Sequence, residues 1–293
     1  MELSQLKIFK AVADQGSIIR ASELLHCVPS NITNRIKLLE RELGAPLFIR
    51  KGRGLIISPS GRLFLGYVNR ILSLCEESQR ALDPASAPSG KLKIGAIESA
   101  AIGRLPKLLS KFHQLYPSVQ MQFSTGNWTQ LSNEVLSHDL DGAIIAVKPE
   151  HPDIESVEIY MEELVLIASP DMGWIHEPHD LNGIDIFMWP EGCPYRKKLV
   201  NWLQRHEVSS PITSIASYGT ILGCVSSGAG VSLVPKGVCE QFSRGGSLSE
   251  YVFEDLLPVK NYFVFNKNVE FHHAKDKFAE LLQAEFKDLR CGF

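Results

Sequence analysis

The chain has 293 residues, of which 44% are hydrophobic and 22% are charged. These proportions are ordinary for a soluble globular protein, and the length indicates about two domains. The apolar runs, such as ELVLIAS, are too short to span a membrane. Because the start, MELSQLKIFK, lacks the basic and apolar segments of a signal peptide, we expect a cytoplasmic protein. The six cysteines form no CxxC pair, which excludes a disulfide framework.

The overall charge of −3 is unevenly distributed along the chain. Residues 1–85 contain 12 basic and 8 acidic residues and carry +4, whereas the remaining 18 basic and 25 acidic residues carry −7. Because residues 1–85 are basic and the rest of the chain is acidic, the two segments are expected to have different binding partners.

The first sixty residues show the markers of three short helices. Apolar residues recur at helical spacing, Ser17 is placed as an N-cap, and Pro29 suits the first turn of the third helix. Gly16 and Gly44 are placed to end the first and third helices. The inward face of the second helix is expected to hold Ala21, Leu24 and Leu25.

The third helix, VPSNITNRIKLLERELG, has an unusually uncharged polar face. On a helical wheel, Ile36, Leu39 and Leu43 fall within about 40° of Ile32. The opposite side holds Ser30, Asn34, Lys37 and Arg41, Asn31 and Thr33 lie on the flanks, and Arg35 lies nearer the core edge. Short hydrogen-bonding side chains suit base edges and phosphates, although the same pattern also fits a solvated helix.

The segments that follow favour the DNA-binding interpretation. APLFIRKGRGLIISPSG predicts a hairpin with a basic tip, and a helix from Ser58-Pro59 follows it. Its apolar residues Phe64, Val68, Ile71, Cys75 and Leu82 form a heptad seam that we expect to pair with a second copy. A tight turn between two helices, a basic hairpin and a dimer together predict a DNA-binding helix-turn-helix that reads two half-sites.

After the linker DPASAPSG, strands and helices alternate. Strands are expected at KLKIGAI, VQMQFSTG, GAIIAV, EELVLIAS, VSLVP and NYFVFN, and one helix is expected over residues 99–117. This pattern predicts an α/β domain with a mostly parallel sheet.

Residues 3–62 resemble the winged helix-turn-helix of LysR-type transcriptional regulators. The matching residues include Phe9, Gly16-Ser17, Ala21, Leu39-Glu40, Leu43-Gly44, Leu47-Phe48 and the Ser58/Gly61 start of the next helix, and the likeness continues more weakly through GAGVSLVP. By this resemblance, the DNA contacts fall on Ser30, Asn31, Thr33, Asn34, Arg35, Lys37, Arg50, Lys51 and Arg53. This chain has VPSN and Asn34-Arg35 where the family commonly has other residues, so its operator preference is its own.

The resemblance implies an α+β multi-domain chain with a C-terminal, two-lobed, periplasmic-binding-like effector domain. The predicted parts are the winged helix-turn-helix (1–58), the dimerisation helix (59–83), a hinge (84–90) and the effector domain (91–293), with lobe I at 91–161 and 267–293 and lobe II at 162–266. The expected partners are double-stranded operator DNA, a small-molecule effector and further copies of the chain, as a homodimer through 59–83 and a homotetramer, with no cofactor and no membrane.

The effector is expected at the carboxyl ends of the strands, where open α/β sheets bind ligands. The candidate residues are Ser99, Thr125, Gly126, Asn127, Tyr195, Arg196 and Ser217. Ser99 is placed as an N-cap that could hold a carboxylate, and Arg196 could clamp an anion, so we expect a small, anionic, polar metabolite. Each of these residues also has an ordinary structural interpretation, and Glu98 could instead bind a cationic group.

The sequence leaves two other functions to consider, a redox switch and an enzyme. A redox switch through Cys193 or Cys224 would need an exposed thiol of low pKa, for which Arg196, Lys197 and Lys198 offer positive charge. An enzyme is not expected, since the chain has no nucleophile elbow, GxGxxG or phosphate-binding loop motif. The HxxH of His176 and His179 lies in a proline-containing loop and is not expected to bind metal.

Overall fold

The computed structural model describes residues 1–51, 54–81, 87–242, 248–269 and 272–289. The chain forms two compact units, the first built mainly on the residues up to Ser86 and the second mainly on those from Ala87 onward. Among the described residues, no helix combines the length and the apolar character that a membrane crossing needs. The predicted domain bounds stay predictions, and part of the predicted hinge lies outside the described residues.

The first unit is a winged helix-turn-helix. Its elements are α1 (Leu3–Gln15), α2 (Ile18–Leu24), α3 (Pro29–Leu43), β1 (Phe48–Lys51), β2 (Gly54–Ile57) and α4 (Pro59–Ala81). The strands β1 and β2 pair antiparallel, from Phe48 opposite Ile57 to Lys51 opposite Gly54, and form the wing.

The predicted helix ends of this unit are confirmed. Gly16 and Gly44 adopt left-handed backbone angles, with φ of 59° and 66°, directly after α1 and α3. Such angles are strained for most residues but not for glycine. The Ser17 hydroxyl accepts a hydrogen bond from the backbone N–H of Arg20, as an N-cap should. Local residue chemistry therefore defines the helix-turn-helix boundaries.

The core of the first unit gathers apolar side chains from all four helices and the wing. The buried members are Leu6, Ile8, Phe9, Ala11, Val12, Ala21, Ile32, Ile36, Leu39, Leu47 and Val68. Of the other predicted inward residues, Leu25 is half-buried and packs against this core, whereas Leu24 is 58% exposed and Leu43 is 39% exposed. Leu24 and Leu43 are the last residues of their helices, where the core no longer covers the helix face.

The predicted pairing seam of α4 is wrong in its inner part. Val68 is fully buried and, with Phe64 and Ile71, packs in the core of its own unit. The seam was expected to be free because no local core was apparent, but α1 supplies one. The exposed apolar residues of α4 are instead Leu63, Tyr67 and Leu74. Leu82, at the end of the predicted seam, lies outside the described residues.

The second unit contains two larger sheets. Its elements are β3 (Gly90–Ala96), α5 (Glu98–Gly103), α6 (Leu105–Leu115), β4 (Val119–Thr125), α7 (Trp128–Leu136), β5 (Gly142–Ile145), β6 (Ile154–Glu162), β7 (Leu164–Ala168), β8 (Ile186–Met188), α8 (Pro194–Arg205), β9 (Ile212–Ser214), α9 (Tyr218–Ser226), β10 (Ser232–Pro235), α10 (Lys236–Phe242), β11 (Ser249–Tyr251), β12 (Val259–Asn266) and α11 (His273–Glu285). Two short 3-10 turns lie between β7 and β8.

The first of these sheets is mixed, which corrects the expected mostly parallel sheet. Its order is β4-β3-β5-β12-β6, in which β3 pairs parallel with β4 and β5, and β12 pairs antiparallel with β5 and β6. The expected lobe II included residues 259–266, but β12 belongs to this five-stranded sheet of lobe I. The chain thus returns from lobe II to lobe I before β12, a crossing that strand periodicity alone does not reveal.

The second lobe contains the antiparallel sheet β10-β7-β11 and the parallel pair β8-β9. A single parallel bridge between Ile186 and Val231 connects β8 to the segment before β10. The helix predicted over 99–117 is two helices, α5 and α6, which meet at Arg104. Pro106 is in the first turn of α6, where its missing N–H costs nothing.

Candidate functional site

The outer face of α3 is exposed and polar. Ser30, Asn31, Asn34 and Lys37 are exposed, whereas Thr33 is half-buried and its hydroxyl donates to the Pro29 carbonyl oxygen at 3.0 Å. Val28, the residue before the helix, offers no side-chain acceptor to the first turn. The free end of α3 and four exposed polar side chains therefore form one surface, which suits phosphates and base edges.

Arg35 is already engaged within the first unit. Its Nε donates to the Asn31 Oδ1 at 3.3 Å, and its Nη1 donates to the Glu2 Oε2 at 3.3 Å and to the Ser4 Oγ at 3.1 Å. A role in DNA contact would require these three bonds to be exchanged. Arg35 therefore makes more described side-chain hydrogen bonds than any other candidate residue on α3.

The wing is attached to α3 by one carboxylate. The Glu40 Oε1 accepts hydrogen bonds from the backbone N–H groups of Leu47 at 2.8 Å and Phe48 at 3.3 Å. Charged acceptors strengthen such hydrogen bonds. Glu40 therefore fixes the position of the start of β1 relative to the exposed face of α3. Of the predicted wing cations, Arg50 and Lys51 lie on β1, and Arg53 lies outside the described residues.

The start of α4 is packed against the same segment. The buried Ser58 hydroxyl donates to the Pro46 carbonyl oxygen at 2.6 Å and accepts from the Gly61 N–H at 2.9 Å. The backbone N–H of Ser58 donates to the Leu47 carbonyl oxygen at 2.9 Å. The wing and the start of α4 are thus held together by a small buried network.

Several candidate effector residues converge between the two lobes of the second unit. The Ser99 hydroxyl donates to the Tyr195 hydroxyl at 3.4 Å, which donates in turn to the Asn261 Oδ1 at 3.4 Å. The Tyr218 hydroxyl also interacts with Ser99. These four side chains are buried, and burial raises the pKa of both tyrosines, so the hydroxyl groups stay neutral.

Ser99 is not the N-cap that the sequence predicted. Ile97 occupies that position, and Ser99 lies in the first turn of α5 with its hydroxyl turned to Tyr195. Ser217, in contrast, does cap a helix, since its hydroxyl accepts from the Thr220 N–H at 3.3 Å. Ser99 therefore links the two lobes, whereas Ser217 caps the start of α9.

Arg196 lies beside this cluster with neutral partners. Its Nη1 donates to the Trp189 carbonyl oxygen at 3.1 Å and to the Ser214 Oγ at 2.9 Å. The Trp189 ring stacks on Tyr218, with ring centroids 4.8 Å apart. In the described part of the chain, no carboxylate forms an ion pair with Arg196. Its charge is thus free to meet an anion at the carboxyl ends of β8 and β9.

Thr125, Gly126 and Asn127 follow the end of β4. The Gly126 N–H donates to the Ala96 carbonyl oxygen at 3.2 Å, and the Asn127 Oδ1 accepts from the Gln130 N–H at 2.8 Å, so Asn127 serves as a cap of α7. No contact joins these three residues to the Ser99 cluster among the interactions that the structure describes. Their role in effector binding stays a prediction.

Sequence reasoning missed three residues of this region. Asn261 and Trp189 belong to the cluster, and the Trp128 Nε1 donates to the Gly192 carbonyl oxygen at 3.1 Å, which joins lobe I to lobe II. An asparagine inside a largely apolar strand was a usable signal for Asn261. The tryptophans gave no signal, since a lone aromatic residue more often indicates core packing.

Glu98 is a half-buried acid at the same place. Its carboxylate accepts a hydrogen bond from the backbone of Tyr218, and burial is the main cause that raises its pKa above the usual 4.5. The structure thus holds a carboxylate where its charge is poorly solvated.

Replacing Glu98 with Gln is therefore expected to raise the melting temperature of the protein near neutral pH. A raised folded-state pKa means that the folded protein binds more protons, so wild-type stability falls as pH rises from 4.5 through the folded-state pKa. The gain should vanish below pH 4.5. Melting curves across pH 4 to 8 measure this, with the exposed Glu150→Gln as the control; a gain that is independent of pH would contradict it.

The redox alternative finds little support in the geometry of Cys193. Burial raises the pKa of its thiol, despite hydrogen bonds from the backbone of Arg196 and Tyr195. A redox-sensing thiol needs a lowered pKa and access to solvent. Cys224 is half-buried within α9.

Comparisons with known proteins agree with both units. Residues 3–62 match the model of the bacterial regulatory helix-turn-helix protein, lysR family, and residues 85–287 match the LysR substrate binding domain. An uncharacterized HTH-type transcriptional regulator, YusT of Bacillus subtilis (strain 168), is 38% identical over 92% of this chain and 90% of its own length. The regulator GltR of the same organism is 33% identical over 98% of each chain.

Solved structures share the fold of the whole chain. Full-length OxyR from Pseudomonas aeruginosa has a TM-score of 0.78 at 21% identity, covering 98% of this chain and 95% of that one. Full-length CbnR, crystallised with its target DNA, has a TM-score of 0.71 at 23% identity, covering 97% of this chain and all of that one. With both family models matched and two relatives above 30% identity along nearly its whole length, the chain belongs to the LysR family of bacterial helix-turn-helix transcriptional regulators.

Proposed function

We propose that this LysR-type regulator reads its operator with the exposed polar face of α3. The proposal rests on the two faces of α3. Ile32, Ile36 and Leu39 are buried on one face, while Ser30, Asn34 and Lys37 face solvent on the other. Because the buried face packs in the core of the first unit, the exposed face of α3 can enter the major groove while this packing is kept. Arg50, Lys51 and Arg53 of the wing would contact the phosphate backbone, as would Asn31 and Thr33 at the flanks of α3.

The regulator acts as a homodimer through α4 and as a homotetramer in the cytoplasm. The exposed residues Leu63, Tyr67 and Leu74 give α4 an apolar stripe. A second copy that covers this stripe would place two α3 helices on two half-sites, in keeping with two-fold symmetry. Its family consists of regulators and not of enzymes, so no turnover is expected.

The second unit senses a small, anionic, polar metabolite between its lobes. The support for this is Arg196, whose described hydrogen bonds go only to neutral groups, in the same region as the buried hydroxyl groups of Ser99 and Tyr195. Gly126, Thr125, Asn127 and Ser217 lie at helix starts or strand ends of the same unit. The metabolite would bind one arrangement of the lobes more tightly than another. This difference in affinity would shift the equilibrium between the two arrangements.

DNA binding should weaken steeply as salt concentration rises, because phosphate contacts release counterions. Replacing Arg53 with Ala should weaken binding to all sequences alike and reduce the slope of log affinity against log salt by about 1. Fluorescence anisotropy of labelled DNA fragments measures both quantities. The control is Lys148→Ala, an exposed lysine of the second unit; a slope that Arg53→Ala leaves unchanged removes the wing from the DNA surface.

A further inference from the structure

Glu98 lies in the proposed effector site without a cationic partner. In the part of the chain that the structure describes, no lysine, arginine or histidine forms an ion pair with its carboxylate, whose one described hydrogen bond comes from the backbone of Tyr218. A carboxylate has room for about four donors. The carboxylate of Glu98 can therefore accept further hydrogen bonds, and a cationic donor would also match its charge.

The described neighbours of Glu98 include an aromatic residue and a neutral hydroxyl group. Tyr218, which binds the carboxylate through its backbone, stacks its ring on Trp189, and the buried hydroxyl of Ser99 belongs to the neighbouring residue. Neutral hydroxyl groups and aromatic faces both favour a cation in a partly dry site. A ligand that placed a negative charge next to Glu98 would be repelled by the carboxylate of this residue.

Arg196 is connected to the same aromatic pair through its other member, Trp189. It donates to the carbonyl oxygen of Trp189, while Glu98 accepts from the backbone of Tyr218, and the rings of these two residues are stacked. Within the described residues, the site thus presents one cation and one anion without ion-pair partners, each hydrogen-bonded to the backbone of one member of the same stacked pair. A single small molecule with both an acidic and a basic group would complement it.

We propose that Glu98 selects effectors that carry a protonated amine in addition to their anionic group, so that the effector is an amino acid or a similar amino carboxylate. This inference rests on the proposed effector site and names the class of molecule that the site takes. In this arrangement Arg196 holds the carboxylate of the effector, and Glu98 holds its ammonium group. A carboxylic acid of the same skeleton without the amine would lose one of the two charged contacts.

The test is a binding screen of the full-length protein against the twenty standard amino acids at millimolar concentration. Each compound is paired with the acid that lacks its amino group, and binding is measured by thermal shift and then by calorimetry. We expect at least one amino acid to bind the wild type and its deaminated acid to bind more than about tenfold weaker. Glu98→Gln should weaken the amino acid by a similar factor and leave the deaminated acid unchanged, and Glu150→Gln should change neither.

Three results would overturn the inference and leave the proposed effector site in place. The first is equal affinity of an amino acid and its deaminated acid for the wild type. The second is unchanged affinity of the amino acid for Glu98→Gln, and the third is binding of acids alone. In each of these cases a small-molecule site between the lobes still stands. Absence of binding by either class overturns the inference and counts against the proposed sensing of an anionic metabolite as well.

Discussion

Replacing Glu162 with Ala is expected to lower the free energy of unfolding of the second unit by about 3 kcal/mol, because it leaves a buried arginine without its main partner. The Arg104 guanidinium donates to both Glu162 oxygens, at 2.6 and 2.9 Å, and the side chains are 14% and 3% exposed. The backbone N–H of Gly237 donates to the same carboxylate at 3.0 Å and would also lose its acceptor. The weaker contact of Arg104 with Glu240 at 3.5 Å remains.

The neighbouring residue supplies a matched control. Glu163 forms an ion pair with Lys236 at 2.6 Å, but both side chains are about two-fifths exposed. Exposed pairs contribute about 0–1 kcal/mol, so Glu163→Ala should change stability little. Urea unfolding of both variants, followed by circular dichroism, measures the difference. Equal losses at the two positions would show that burial does not govern these pairs.

Replacing Gly61 with Ala is expected to destabilise the first unit by about 1–3 kcal/mol, because the new methyl group has no room. A Cβ at this position would lie 2.2 Å from the carbonyl oxygen of Leu47 and 2.8 Å from a side-chain carbon of Ile57. The backbone at the start of the wing would have to move. Because Glu40 binds that same segment, operator binding should weaken together with stability.

A second glycine of α4 gives the opposite expectation. At Gly66 nothing lies within 4 Å of an added Cβ, and the position is inside the helix. Gly66→Ala should therefore stabilise the protein by about 1 kcal/mol, since alanine has the higher helix propensity. Thermal unfolding of the two variants measures both effects. A loss of stability with Gly66→Ala that equals the loss with Gly61→Ala would contradict the packing described at the start of α4.

The helix-turn-helix was predictable because its determinants are local. Gly16, Ser17, Pro29 and Gly44 act on residues within one turn of themselves, and the structure places each where its chemistry requires. The pairing seam of α4 was not predictable in the same way. Its residues Phe64 and Val68 pack on α1, which is more than fifty residues away in the chain, and apolar spacing does not distinguish an internal partner from a second copy.

The cleft between the lobes was predictable only in outline. Strand ends indicated where Ser99 and Arg196 would lie, but the contact from Ser99 through Tyr195 to Asn261 joins three segments that are far apart in the chain. The return of β12 to the sheet of lobe I brings Asn261 there, and the periodicity of a strand does not specify its neighbours. The sequence indicated Glu98 as a possible contact for a cationic group, but it did not show the burial of this carboxylate or its bond to the backbone of Tyr218.

The short helix α5 connects the proposed effector site to the buried ion pair. Glu98 and Ser99 are in its first turn, and Arg104 follows its last residue, Gly103. A Cβ at Gly103 would lie 2.6 Å from the backbone of Gly237, so α5 and α10 are in close contact. A ligand that shifts the start of α5 would therefore act on the joint between the lobes, as a population shift requires.

The most direct test of the account is a selection of genomic DNA fragments by the wild-type protein and by Asn34→Ala in parallel. We predict that the wild type enriches one two-fold symmetric motif, and that Asn34→Ala loses preference at one position of each half-site, a loss of about 1–3 kcal/mol of discrimination. Enrichment of the same motif with the same preference by both proteins would contradict the claim that the exposed face of α3 reads the operator.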